Sequence, residues 1–355
     1  MTNTPAMHAT LLTPFALGPA LTLPNRVVMA PMTRRRADMA NVPSPLAAEY
    51  YAQRASAGLV IAEATLVGKS GASSPGSPGI YSDAQERAWS HVAQAVHAGG
   101  GRIFLQLWHA GRFSDPAFLD GELPVAPSAV AIDGELETPN GRHRFVTPRA
   151  LAADELATIV EAFADAAACA IRAGCDGVEI HAAQGYLIDQ FLRDGSNHRT
   201  DGWGGDLAGR TRLLVEIVAA VRARIGGERI GVQLSPTSPL GGMRDSDPRT
   251  TFAYAARRLA EARVAYLHLF DPQREWAELR AVFAGAIIAN GGYDAASAAA
   301  AIERGDADLV SFGRPFIANP DLVERIAAGV PFATPDPSTF YGGGARGYTD
   351  YPRAR

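Results

Sequence analysis

The sequence predicts a (β/α)8 TIM barrel with a long insertion after the third strand and a docked C-terminal tail, and three observations carry that expectation. Short β-branched runs alternate with alanine-rich helical segments eight times along the chain. The first strand runs into Pro31-Met32-Thr33 with no Gly-x-Gly-x-x-Gly turn, which argues against an open doubly wound sheet. The 355 residues, 47% of them hydrophobic, suit one large barrel with side insertions, so residues 1–355 are expected to form a single domain.

Taken in order, the expected strands are Arg26–Met29, Leu59–Glu63, Arg102–Leu107, Gly177–His181, Ile230–Ser235, Ala265–His268, Ala286–Ala289 and Leu309–Ser311. Helices are expected over Leu46–Ala57, Ala84–Ala98, Asp154–Ala173, Leu207–Ile225, Thr250–Ala262, Glu275–Val282, Ala295–Arg304 and Leu322–Ala328, where strong helix formers dominate. Residues 110–149, rich in Pro and Gly, exceed a simple connecting loop and are expected to form a lid or wall over the barrel mouth. The tail, 331–355, carries Phe340, Tyr341, Tyr348 and Tyr351, an aromatic content that predicts docking onto the body.

Composition narrows the function classes. A net charge of −4, from 33 basic and 37 acidic residues, gives no electrostatic reason to bind nucleic acid. The run Arg34-Arg35-Arg36 is too short for a nucleic-acid stripe. Cys169 and Cys175 are the only cysteines, too few for a disulfide scaffold or a four-cysteine metal site. With no signal-like leader and no apolar run of membrane-spanning length, the expectation is a cytoplasmic protein with no membrane partner, monomer or homodimer.

In such barrels the active site lies at the C-terminal strand ends. Those ends read Pro31-Met32-Thr33, Glu63-Ala64, Gln106 with Trp108-His109, His181 with Gln184 and Tyr186, Gln233, Asn290-Gly291-Gly292 and Gly313-Arg314. Gln106 follows the apolar Ile103-Phe104-Leu105, so its burial demands a polar partner; Thr33 and Gln233 could meet the same flat polar heterocycle. The glycines after strands seven and eight, with Arg314, fit a phosphate site; plain tight turns are the weaker explanation. His109 is about equally suited to orienting the lid, and Cys175 to filling a small apolar space.

The chain resembles the Old Yellow Enzyme family of flavin-dependent ene-reductases, in the bacterial branch near N-ethylmaleimide and nitrate-ester reductases. The resemblance rests on Ala30–Arg34, Glu49–Ala55, Leu105–Arg112, Gly177–His181, Gly185–Leu192 and Phe312–Leu322, in that order over essentially the whole chain. It implies non-covalent FMN, with Pro31, Met32, Thr33, Ala64 and Gln106 against the ring and Gly291, Gly292, Gly313 and Arg314 on the phosphate. It implies that His181 and Gln184 clamp the substrate oxygen, that Tyr186 supplies the proton, and that Trp108 and Tyr341 wall the substrate space. The reaction implied is ping-pong: hydride from NADPH or NADH to flavin N5, then to the β-carbon of an enone, enal, maleimide or nitroalkene. Arg142 and Arg144 could meet a 2′-phosphate, or be solvated charge.

Two positions depart from the family pattern. Gln184 stands where a His or Asn is usual, which keeps an amide donor. Gln233 stands where an Arg is usual, which removes a cation from the pyrimidine edge and leaves a desaturase or a low-activity flavin sensor as alternatives. A metal-dependent barrel hydrolase is the remaining alternative; His181 and His268 suit it in position, but acidic partners are scarce beyond Glu63 and Asp271.

Overall fold

In the computed structural model, which describes residues 8–19 and 21–354, eight parallel strands close into a barrel in sequence order. They are β1 (Val27–Met29), β2 (Leu59–Leu66), β3 (Ile103–Trp108), β4 (Gly177–Ala182), β5 (Ile230–Leu234), β6 (Tyr266–Phe270), β7 (Ala286–Asn290) and β8 (Leu309–Phe312). All eight expected strands are present, each within two or three residues of its expected ends. The strands are rich in β-branched and large apolar residues and are mostly buried on both faces, as a sheet wrapped by helices requires.

The outer helices are α1 (Leu46–Ala52), α2 (Asp83–Ala98), α3 (Ala153–Arg172), α4 (Leu187–Leu192), α5 (Leu207–Ile225), α6 (Pro248–Glu261), α7 (Ala295–Glu303), α8 (Arg314–Ala318) and α9 (Leu322–Ala328). Their starts follow local chemistry: Ser82, Asp206, Asp247 and Asp294 accept hydrogen bonds from the first turns of α2, α5, α6 and α7. α3 buries Leu156, Ile159, Val160, Phe163, Ala167 and Ala170, a stripe at helical spacing that faces the sheet.

Two helical expectations need correction. The first helix stops at Ala52 and not Ala57, because the Arg54 guanidinium takes the Tyr50 carbonyl that the Arg54 amide would have used. The expected helix at Glu275–Val282 is only a 3-10 turn, Ala277–Ala281, with Asp271 holding the Trp276 amide ahead of it. Also present are α4, α8 and two hairpins, none of them among the expected elements.

One of those hairpins, Phe15–Ala16 with Thr22–Leu23, brings Leu17 and Leu23 against Val28, Leu59, Ile61, Phe104, Ile288 and Leu309. This apolar cluster closes the N-terminal end of the barrel. Within it a Cβ at Gly231 would lie 2.0 Å from the Tyr266 ring, so glycine there makes room for the aromatic filling. The other hairpin, Glu135–Thr138 with Gly141–Arg144, lies inside the 110–149 insertion. Its Arg142 and Arg144 are exposed and ion-paired to Glu135 and Asp133.

The tail is docked, and the arginine run is the reason. Arg34, fully buried, donates to the carbonyls of Phe340 (2.9 Å) and Gly347 (2.7 Å). Arg36 donates to the carbonyls of Thr339 and Gly344. Tyr348 stacks on Tyr50 at 4.1 Å, with Arg36 over its other neighbourhood at 4.3 Å. Side chains that composition allowed to be solvent-facing charge are thus structural. They satisfy carbonyls of an irregular segment that has no sheet or helix to do so.

Candidate active site

A cavity of about 710 Å³ opens at the C-terminal end of the barrel, within the range of small-molecule and cofactor sites. Pro31, Met32, Thr33, Ala64, Gln106, His181, Gln184, Tyr186, Gln233, Gly291, Gly292, Gly313, Arg314 and Tyr341 all line it. The strand-end argument and the family resemblance singled these out; of the others named there, Glu63, Trp108 and His109 are not among the lining residues. Trp108 is buried, is not among the lining residues, and reaches the site through edge-on contact with the Tyr186 ring at 5.1 Å. It backs the wall and does not form it.

β2 carries an irregularity between Ala62 and Thr65 that shifts its register against β3. The extra residue lets Ala64 face the cavity while the Glu63 carboxylate, buried, accepts from the backbone amides of Arg34 (2.8 Å) and Arg35 (3.3 Å). Glu63 therefore shapes the loop after β1 and is committed there.

The cavity floor is a connected polar network. Gln106 Nε2 donates to Glu179 Oε1 (2.8 Å) and to Gln233 Oε1 (3.0 Å). His268 Nδ1 meets Glu179 Oε2 at 2.9 Å, and His268 Nε2 meets the Ser311 hydroxyl at 2.8 Å. Asn290 Nδ2 donates to the same hydroxyl at 2.6 Å. Because the Glu179 carboxylate only accepts, it turns the Gln106 amino group inward and leaves its carbonyl oxygen unspent. Gln233, giving its carbonyl to Gln106, is left with its amino group unspent. A donor and an acceptor on neighbouring floor residues suit the edge of a polar heterocycle. His268, whose two ring nitrogens are both engaged, is a member of this network and not a candidate metal ligand.

At the β7–β8 side, Gly291 and Gly292 have φ of 143° and 75°, both in the left-handed half that favours glycine. A Cβ at Gly291 would lie 2.5 Å from the Asp271 carbonyl oxygen, so the chain there tolerates no side chain. Arg314 is exposed beside them and is the one cation among the cavity's lining residues. Phosphate at this end and a ring over the Gln106–Gln233 floor fit the residues present.

The wall at and after the end of β4 carries His181, Gln184 and Tyr186. The His181 and Tyr186 rings meet edge-to-face at 5.0 Å, and Phe113 from the insertion packs on Tyr186 at 5.6 Å. Burial, helped by His268 nearby, pulls the His181 imidazole down to about 3, so the ring is neutral at physiological pH. Its Nδ1 is buried without a protein partner. Burial also raises the Tyr186 phenol to about 12, against a smaller opposing pull from Arg35. Gln184 has φ of 59°, unusual for a side chain of its size, and its amide donates to Ser235 Oγ at 2.7 Å. The buried Arg193–Asp189 pair, 2.8 Å, braces this loop: Asp189 accepts from the Gly185 amide and Arg193 donates to the Pro236 carbonyl.

Several participants were not legible beforehand. Ser238, Pro272 and Tyr293 come from loops that carry no motif, Ser235 directly follows β5, Phe270 ends β6, and Glu179 lies inside the Gly177–His181 stretch with no role of its own read for it. His109 is oriented structurally: its Nδ1 accepts from Gly111, and burial lowers the ring to about 4. Cys175 is buried and its thiol raised to about 12, as befits a small apolar filler.

The geometry describes a flavin-type oxidoreductase barrel, and comparison with known proteins agrees. The chain belongs to the NADH:flavin oxidoreductase / NADH oxidase family, whose model matches residues 10–332, among the Old Yellow Enzyme homologues. It is 42% identical to 12-oxophytodienoate reductase 7 of Oryza sativa subsp. japonica, covering 97% of this chain and 95% of that protein. It is 43% identical to a probable flavin mononucleotide-dependent alkene reductase of Leishmania infantum, covering 92% and 93%. Among solved structures, morphinone reductase in complex with tetrahydroNAD superposes with a TM-score of 0.93 at 47% identity, covering 97% of this chain and 98% of that one. The protein is an FMN-dependent NAD(P)H oxidoreductase.

Proposed function

We propose that this oxidoreductase reduces the activated C=C bond of small electron-poor alkenes (enones, enals, maleimides, nitroalkenes) using NADPH or NADH. The observation that carries it is the convergence of His181, at the end of β4, with Gln184 and Tyr186, from the segment that follows it, on one wall of the cavity above the Gln106–Gln233 floor. Pro31, Met32, Thr33, Ala64, Gln106 and Gln233 would hold FMN at the ring and Gly291, Gly292, Gly313 and Arg314 at the phosphate, and the hydride exchange would be the chemistry that FMN supplies when bound.

The chain's own groups do the rest. His181, kept neutral by burial, retains one ring N–H, and Gln184 has an unspent amide N–H; together they donate to the substrate oxygen. Negative charge grows on that oxygen during reduction, and preorganised donors in a water-poor site stabilise it more than water would. Tyr186 is protonated at neutral pH and delivers its proton to the α-carbon as general acid. Tyr341, carried over the mouth by the docked tail, narrows the entrance.

The test is isotopic. With NADPH deuterated at the transferred position and 2-cyclohexenone as substrate, the label is expected on the β-carbon and solvent hydrogen on the α-carbon. Acid denaturation should release FMN. Absence of label from the product, or oxidation of NADPH with no change in the alkene, overturns the proposal. A desaturase would instead convert cyclohexanone to cyclohexenone with reduced acceptor accumulating; nothing in the wall geometry favours that direction.

A further inference from the structure

The Gln184 side chain is a poor choice for a rigid clamp unless something holds it. A glutamine amide swings on three side-chain torsions and presents either a donor or an acceptor depending on a half-turn of the last one. Ser238, on the loop after β5, meets it: its hydroxyl donates to Gln184 Oε1 at 2.9 Å. The backbone amide of Leu240 donates to the same Oγ at 3.4 Å, taking one of its two lone pairs. The hydroxyl, accepting from Leu240, has its own proton free for Gln184. Ser238 is itself buried, with its amide bonded to the Ser235 carbonyl at 3.1 Å.

Backbone and side chain are thus fixed by the same loop. Ser235 Oγ accepts the Gln184 amide and stabilises the left-handed turn, while Ser238 takes the side-chain carbonyl. Gln184 Nε2 has no protein partner among the described residues, and Gln184 lines the cavity. We propose that Ser238 is a positioning residue: by engaging Gln184 Oε1 it turns the amide N–H2 toward the substrate oxygen and makes the clamp donor-only. The β5 loop, through Ser235 and Ser238, then sets which substrates are held: those offering an acceptor oxygen at that point, such as a ketone, imide or nitro group.

This rests on Gln184 contacting the substrate oxygen, so the experiment separates the two claims. With the FMN-loaded enzyme, cyclohexanone, which offers the carbonyl but no alkene, is titrated by the change in flavin absorption. The KM for 2-cyclohexenone is measured alongside. Releasing an ordered, rotamer-rich side chain should weaken binding about threefold to tenfold in Ser238→Ala, with Ser238→Thr restoring it. In a Gln184→Ala background, Ser238→Ala should add nothing, because its effect runs through the amide that has been removed. A purely structural role would give the same loss in both backgrounds, and that additivity would overturn the proposal. So would unchanged cyclohexanone binding in Ser238→Ala while Gln184→Ala weakens it. If Gln184→Ala itself leaves binding unmoved, the clamp assignment fails and the positioning role with it.

Discussion

Gln233→Arg should raise the midpoint potential of the bound flavin by about 20–50 mV. Among the cavity's lining residues the one cation is Arg314, at the phosphate end, so no neighbouring Arg or Lys on the lining substitutes for a charge at the floor. The floor instead holds the Glu179 carboxylate, one hydrogen bond from Gln106, which is one hydrogen bond from Gln233. A guanidinium at position 233 about 5 Å from a reduced, negatively charged ring would gain roughly 3 kcal/mol at an effective dielectric of about 20. It would also lie within reach of Glu179, and sharing its charge with that carboxylate while losing water leaves about half. For a two-electron couple, about 1.4 kcal/mol corresponds to about 30 mV. The assay is a spectrophotometric redox titration of parent and variant against a reference dye. A potential that stays put or falls refutes the reasoning: the charge would then be absorbed entirely by Glu179, or the residue would not face the ring.

Tyr186→Phe should leave flavin reduction by NADPH nearly unchanged, cut 2-cyclohexenone turnover by about 10²-fold or more, and release an unprotonated nitronate from a nitroalkene. Stopped-flow of the two half-reactions checks this, and unimpaired enone turnover would reduce Tyr186 to an aromatic wall. His181 titrates near 3 when folded and near the ordinary 6.5 when unfolded, so the unfolded chain takes up the proton first. Its neutral form therefore favours folding fully above pH about 6.5, and that advantage is lost as pH falls toward 3. His181→Gln should lose less stability than the parent between pH 6.5 and 4.5, by about 2 kcal/mol, measured by urea unfolding; His109, lowered in the same sense, contributes equally to both proteins. Tyr348→Ala removes the stack on Tyr50 and should cost about 3–5 kcal/mol, with faster protease cleavage beyond residue 331. An unchanged cleavage rate would mean that Arg34 and Arg36 hold the tail without it.

Periodicity located the barrel because strand and helix patterns are local: each β-branched run is buried on both faces wherever the barrel closes, so eight such runs marked eight strands. Strand ends located the cavity for a related reason, since their order around a closed barrel follows their order in sequence. Hence Gln106, His181, Tyr186 and Arg314 could be named before their distances were known. Tertiary structure alone decided which partners those groups have. Glu179 reads as one residue of a strand, yet it turns Gln106, its register partner on the neighbouring strand β3, 73 positions away. Arg34 and Arg36 read only as a basic run too short for a nucleic-acid stripe, yet they hold carbonyls about 300 positions downstream, where a docked tail needs donors. Ser238 sits in no motif, and its hold on Gln184 spans 54 positions. A hydroxyl or guanidinium carries no sequence pattern that records which distant carbonyl it will meet; burial imposes the need for a partner, and only the closed barrel supplies it.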